Sequence, residues 1–211
     1  MESLLLFAYE FSVETVPFVI VLAVIAKQER KRGTPFKKRD VIIKLLLGLY
    51  IFAVLSVTGA GTIYELFRLK ITPQSPTELR QLNLVPFSNG IDILTILNVV
   101  MLVPFGFMLP VLWKRNGRMY RVILSGFAFS MLIELSQLMN NRCTDIDDLI
   151  ANTLGAVIGY IIYKVFAEIF GLKRIDEHYT SYEPMLYVLV MILGRFLFFN
   201  EFGAAKLIFG F

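Results

Sequence analysis

Apolar positions in this chain gather into long runs separated by short polar stretches. The runs cover roughly residues 4–26, 41–63, 91–113, 122–139, 148–170 and 185–199. Most approach the ~20 residues that an α-helix needs to cross a hydrocarbon core of about 30 Å. The pattern therefore predicts an all-α, polytopic membrane protein with about six transmembrane helices, built as one domain over residues 1–211. Composition points the same way. Hydrophobic residues make up 56% of the 211 positions, and the mean hydropathy is +0.66. A soluble domain this apolar would lack the polar surface to cover itself.

The net charge of +4 is small, and its distribution says more than its sum. The segment Lys27–Asp40 carries seven Lys or Arg residues, residues 114–121 carry four, and residues 171–184 carry two. The opposite loops hold Arg68, Lys70, Arg80 and Arg142. By the positive-inside rule the first set is cytoplasmic, which places both termini outside. No Lys or Arg precedes Lys27, so the first run lacks the basic flank of a signal peptide and is expected to stay as a span. The basic loop needs no partner beyond membrane lipids, and nothing points to nucleic acid. The single cysteine, Cys143, excludes an internal disulfide and a multi-cysteine metal site. The single histidine, His178, lies in a polar linker and is expected to be solvated.

Several polar residues fall inside the runs. Glu10 and Glu14 share a face of the first. They are expected at the headgroup level, with the bundle interior as the alternative. Lys44 is expected to snorkel to the inner surface. Pro104 and Gly106 are expected to break or kink the third span, with neighbouring helices satisfying the freed backbone groups. Residues 64–90 form a long outer connection, and its NLVPF stretch (83–87) can lie in the interface or fold back onto the bundle. Arg195 interrupts the last run. The tail at 200–211 can span, re-enter or lie on the membrane.

The densest polar stretch is Glu134–Gly155, where the fourth and fifth runs meet. Glu134 and Gln137 sit three apart and share a helix face. Asp145, Asp148, Asn152 and Gly155 follow at steps of three, four and three, which puts them on one stripe of the next helix. Arg142 lies between the two helices. Helix capping alone explains some of the acids, since Thr144 and Asp145 precede a helix and Asp147 and Asp148 fall in its first turn. It does not explain Glu134, Gln137, Asn152 and Arg142 meeting there. Three chemistries fit the cluster. Glu134, Asp145 and Asp148 could hold a divalent cation, Mg²⁺ or Ca²⁺, through oxygen. Arg142 could grip a lipid phosphate or a peptide carboxylate. The network could also close on itself. Asn98, two turns into the third span, is a further candidate, either for the site or for an interhelical hydrogen bond.

The run E-x-x-Q-x(4)-R-x-x-D-x-x-D-x-x-x-N-x-x-G, spelled by Glu134, Gln137, Arg142, Asp145, Asp148, Asn152 and Gly155, resembles the VanZ family. NLVPF at 83–87 and the N-x(5)-PFG run from Asn98 to Gly106 match its upstream elements. The resemblance covers roughly residues 80–165 and leaves spans 1–63 and 185–211 outside its core. It implies a multi-pass protein of the bacterial cell membrane, associated with resistance to teicoplanin-type glycopeptide antibiotics in Gram-positive bacteria. It brings a phenotype rather than a reaction. The leading expectation is action at the outer face on a lipid-linked cell-wall precursor, a lipid, or access of a lipoglycopeptide antibiotic, without catalysis. A metal-dependent enzyme acting on a lipid-linked phosphate or cell-wall precursor, and a lipid transporter or flippase, are the alternatives.

Overall fold

The computed structural model describes residues 2–65, 67, 82–83, 85–87, 90–113, 118–138, 144–171 and 182–209. Arg142, Cys143 and His178 lie outside the described residues. The protein is an all-α polytopic membrane protein. Its helices are α1 (Glu2–Lys31), α2 (Lys38–Thr58), α3 (Ile93–Leu112), α4 (Met119–Gln137), α5 (Ile146–Phe170), α6 (Glu183–Phe198) and α7 (Glu201–Phe209). The first five are long and apolar enough to cross a membrane. The sixth expected span, α6, has 16 residues, or roughly 24 Å at 1.5 Å per residue. It ends at Phe198 with Phe199 as its cap, and the tail forms the separate short helix α7.

Local chemistry sets the helix ends. The α2 start is fixed by Asp40, whose carboxylate accepts the Lys37 N–H at 3.2 Å. Its end is fixed by Gly59, which takes the left-handed conformation (φ 59°) and returns its N–H to the Leu55 carbonyl. Asp92 caps α3 through the Thr95 N–H, and Asp145 caps α5 through the Asp147 N–H. Two short strands, β1 (Leu82–Asn83) and β2 (Thr144–Asp145), pair in parallel. They tie the long connection between α2 and α3 to the start of α5, so this part of it folds back onto the bundle.

The closest packing joins α3 and α5. A methyl group added at Gly155 would lie 2.0 Å from the Val99 carbonyl oxygen, and one at Gly159 would lie 2.0 Å from that of Val103. From the other side, Gly106 meets the Ala156 carbonyl at the same distance. Small residues let two backbones approach where lipid supplies no hydrophobic drive between helices. At Pro104 and Gly106 the expected break is absent. Helix α3 runs unbroken past Pro104 and Pro110, because Gly106 lies against α5 and the flanking turns are held by that packing. Helix α4 rests on the other side of Ala156 at Gly126. Helices α3, α4 and α5 thus make one unit. Helix α1 packs mainly on α6, with Gly194 close to the Val13 carbonyl. Helix α2 joins the two groups, and the Tyr50 hydroxyl donates to the Met101 carbonyl at 2.7 Å.

Two buried ionic clusters lock these groups together and overturn two expectations. Glu10 and Glu14 face the interior rather than the headgroups. Both accept from Nη1 of Arg195, at 2.5 and 2.6 Å, while Arg195 Nε donates to the Ala60 carbonyl. Arg195 interrupts its run because it neutralises carboxylates on α1. Lys44 does not snorkel. It is fully buried and donates to Glu183 Oε1 at 2.6 Å, with its ammonium 3.6 Å from the centre of the Phe36 ring. Glu183 completes the cluster by accepting from the Tyr187 hydroxyl and the Trp113 indole N–H.

Candidate functional site

The α5 cap, the end of α4 and the start of α3 surround a cleft of about 350 Å³. Asn98, Glu134, Gln137, Asp145, Asp148 and Asn152, all singled out in the sequence, line it. Gly155 lies one turn further along the stripe, where it sets the α3–α5 distance that brings Asn98 to Asp148. The Asn98 amide donates to Asp148 Oδ1 at 2.5 Å. Asn152 donates to the Ser130 hydroxyl at 3.0 Å. Gln137 donates to the Thr58 carbonyl at 2.8 Å, which adds the end of α2 to the wall. The Asp145 backbone hydrogen-bonds the Glu134 carboxylate. At the rim, the Thr95 N–H and hydroxyl hold the exposed Asp92 carboxyl below the usual carboxylate range.

The distinctive property of the cleft is unused acceptor capacity. Glu134 is 6% exposed, Gln137 6% and Asn152 2%. Each keeps a buried side-chain oxygen without a hydrogen-bond partner among the described residues: Glu134 Oε2, Gln137 Oε1 and Asn152 Oδ1. A buried polar atom left unpaired costs roughly 1–3 kcal/mol, so the residues behind this wall are held at a cost to stability. The cleft is also acidic: Asp92, Glu134, Asp145, Asp147 and Asp148 contribute carboxyl groups, and among the described residues no Lys or Arg lines it. Among the described residues, no three carboxylate, imidazole or thiol side chains are grouped closely enough to hold a metal ion. Val57, Leu94 and Leu97 also line the cleft and are mostly exposed on the bundle surface, so part of its rim is apolar.

Some participants escaped the sequence reading. Asp147 is more than an extra cap residue. It is buried, and its Oδ1 accepts the Phe87 N–H at 2.8 Å. Phe87 sits at φ 56°, unusual for a bulky side chain, and this bond helps hold it there. Ser130, the partner of Asn152, had a signal: it lies four residues before Glu134 and seven before Gln137, on the same helix face. Thr58 acts through its backbone carbonyl, which no side-chain pattern reveals.

Residues 45–167 match the VanZ/LLP1 family, more than half of the chain. The chain belongs to the VanZ/LLP1 family. The match takes in most of α2 and all of α3, α4 and the cleft, a wider region than motifs at 80–165 alone. Protein VanZ of Enterococcus faecium is 29% identical over 127 residues, which are 57% of this chain and 76% of that protein. No solved structure matches the chain. The family region contains every residue named in the cleft, whereas the Arg195 cluster draws Glu10, Glu14 and Arg195 from outside it.

Proposed function

We propose that this VanZ-family membrane protein lowers sensitivity to teicoplanin-type glycopeptides by binding at the outer face. The observation that carries this reading is the acidic cleft with an apolar rim within the family-matched residues. The distribution of Lys and Arg among the loops supports an outer position for the α4–α5 connection, and with it the cleft. Teicoplanin carries an acyl chain and meets cell-wall precursors at that surface. A cleft with an apolar rim can engage an amphiphile there and change the precursor, its lipid surroundings or the anchoring of the drug.

The test is expression in a susceptible Gram-positive host, wild type beside Asp148→Asn, at equal levels in the membrane. Asp148 is chosen because its bond to Asn98 spans α3 and α5 at the cleft. Protection against teicoplanin exceeding that against vancomycin, and lost in Asp148→Asn, is the expected result. Equal protection against both drugs, or protection that survives the substitution, would count against the proposal.

A further inference from the structure

We propose that Arg195 is a positioning residue for the cleft: it holds the turn after α2 against the end of α4, and so sets where Gln137 stands in the cleft wall. The inference rests on the cleft being the site proposed above, and adds a control that lies outside the family-matched residues. Helix α2 ends at Gly59, in the left-handed conformation, and the backbone groups around it need partners from elsewhere. Side chains of other helices supply them. The Thr58 carbonyl accepts from the Gln137 amide at 2.8 Å, the Gly61 N–H donates to the Ser136 hydroxyl at 3.2 Å, and the Ala60 carbonyl accepts from Arg195 Nε at 2.7 Å. The first two partners belong to α4 and the last to α6, so both helices grip one turn. Val57 and Thr58 line the cleft, while Gly59, Ala60 and Thr62 line a second cavity, of about 170 Å³, together with Arg195. The turn therefore has the cleft on one flank and Arg195 on another.

Arg195 can hold the turn because its own place is fixed. Its Nη1 donates to Glu10 at 2.5 Å and to Glu14 at 2.6 Å, which anchors the guanidinium to α1. The planar group then directs its Nε–H at Ala60. Ser56, in the last turn of α2, donates to Glu10 at 3.0 Å and ties the same anchor to the helix that the turn leaves. The Lys44–Glu183 pair gives the contrast. It also joins α2 to α6, but near the opposite end of both helices.

The test removes the Arg195 cluster as a whole, by Glu10→Gln, Glu14→Met and Arg195→Met together, since a buried ionic group replaced entirely by uncharged residues of similar volume often keeps the fold. Arg195→Lys is the second variant. It keeps the charge that Glu10 and Glu14 need and lacks Nε. Lys44→Met with Glu183→Gln reports general loosening. The full chains in nanodiscs are read by hydrogen exchange over residues 58–62, and by the Gln137 side-chain amide resonance in protein carrying isotopically labelled glutamine, assigned by its loss in Gln137→Leu. Both Arg195 variants are expected to speed exchange by about tenfold, because a hydrogen bond from a charged group is gone, and to move the Gln137 resonance. The Lys44–Glu183 variant is expected to leave both as in wild type. In the susceptible host, at equal folded levels, the Arg195 variants should lose the excess protection against teicoplanin and the Lys44–Glu183 variant should keep it. An unmoved Gln137 resonance in the Arg195 variants would overturn the positioning role, and so would equal changes in the Lys44–Glu183 variant. A moved resonance with full protection would overturn the link from Gln137 placement to resistance. If wild type protects against neither drug, the resistance proposal fails alone, and the exchange and the resonance still decide the positioning.

Discussion

Two polar regions of this protein use similar residues to opposite ends. Around Lys44, a carboxylate, an ammonium, an indole and a phenol are buried together. Both Glu183 oxygens are occupied, by Lys44 and Tyr187 on one and Trp113 on the other. At the cleft, Glu134 is nearly as buried, yet among the described residues one of its oxygens has no partner, and the amides beside it each leave an oxygen idle. The first region gains its stability from completeness and joins α2, α6 and the end of α3. The second is incomplete by itself. A buried polar group is structural when its neighbours saturate it, and a candidate for binding when they do not.

The contrast is sharpest in what substitutions should do. Glu183→Ala strands the Lys44 ammonium, the Tyr187 hydroxyl and the Trp113 N–H, and should destabilise the protein by about 3–5 kcal/mol. Thermal unfolding in detergent would show this as the largest loss of the series. Gly159→Ala comes next. Its new methyl group meets the Val103 carbonyl at 2.0 Å, and forcing α3 from α5 should cost about 1–3 kcal/mol and widen the cleft. Glu134→Gln should change stability by less than about 1 kcal/mol, because the oxygen it alters has no protein partner to lose. Its effect should appear in binding and in drug sensitivity. Asp92→Asn should be smallest, since asparagine caps a helix as well as aspartate does. An unfolding temperature for Glu134→Gln as low as that of Glu183→Ala would erase the distinction between the two regions.

Much of this arrangement was legible in the sequence. Runs of apolar residues located the five long helices to within a few residues. Helical spacing placed Asp145, Asp148, Asn152 and Gly155 on one stripe, and the structure sets the first three in the cleft with Asn98, Glu134 and Gln137. Gly155 seats α3 against α5. What stayed hidden were partners far apart in the chain. Glu10 and Glu14 looked like headgroup residues because Arg195, which neutralises them, lies on α6. Lys44 looked like a snorkelling side chain because Glu183 lies at the far end of a polar linker. Hydropathy treats each charge by itself, whereas burial becomes tolerable only when the opposite charge is delivered by another helix. At Pro104 the break that the sequence allowed did not form. A proline disrupts an isolated helix, but here the neighbouring α5 backbone holds the surrounding turns in place.

The most direct test is the sensitivity of a susceptible Gram-positive host expressing Glu134→Gln, measured against teicoplanin and vancomycin beside wild type, with equal amounts of folded protein in the membrane. The account predicts a stable variant that has lost the excess protection against teicoplanin. A stable variant that protects as wild type does would show that the unpartnered carboxylate is not what the cleft works with.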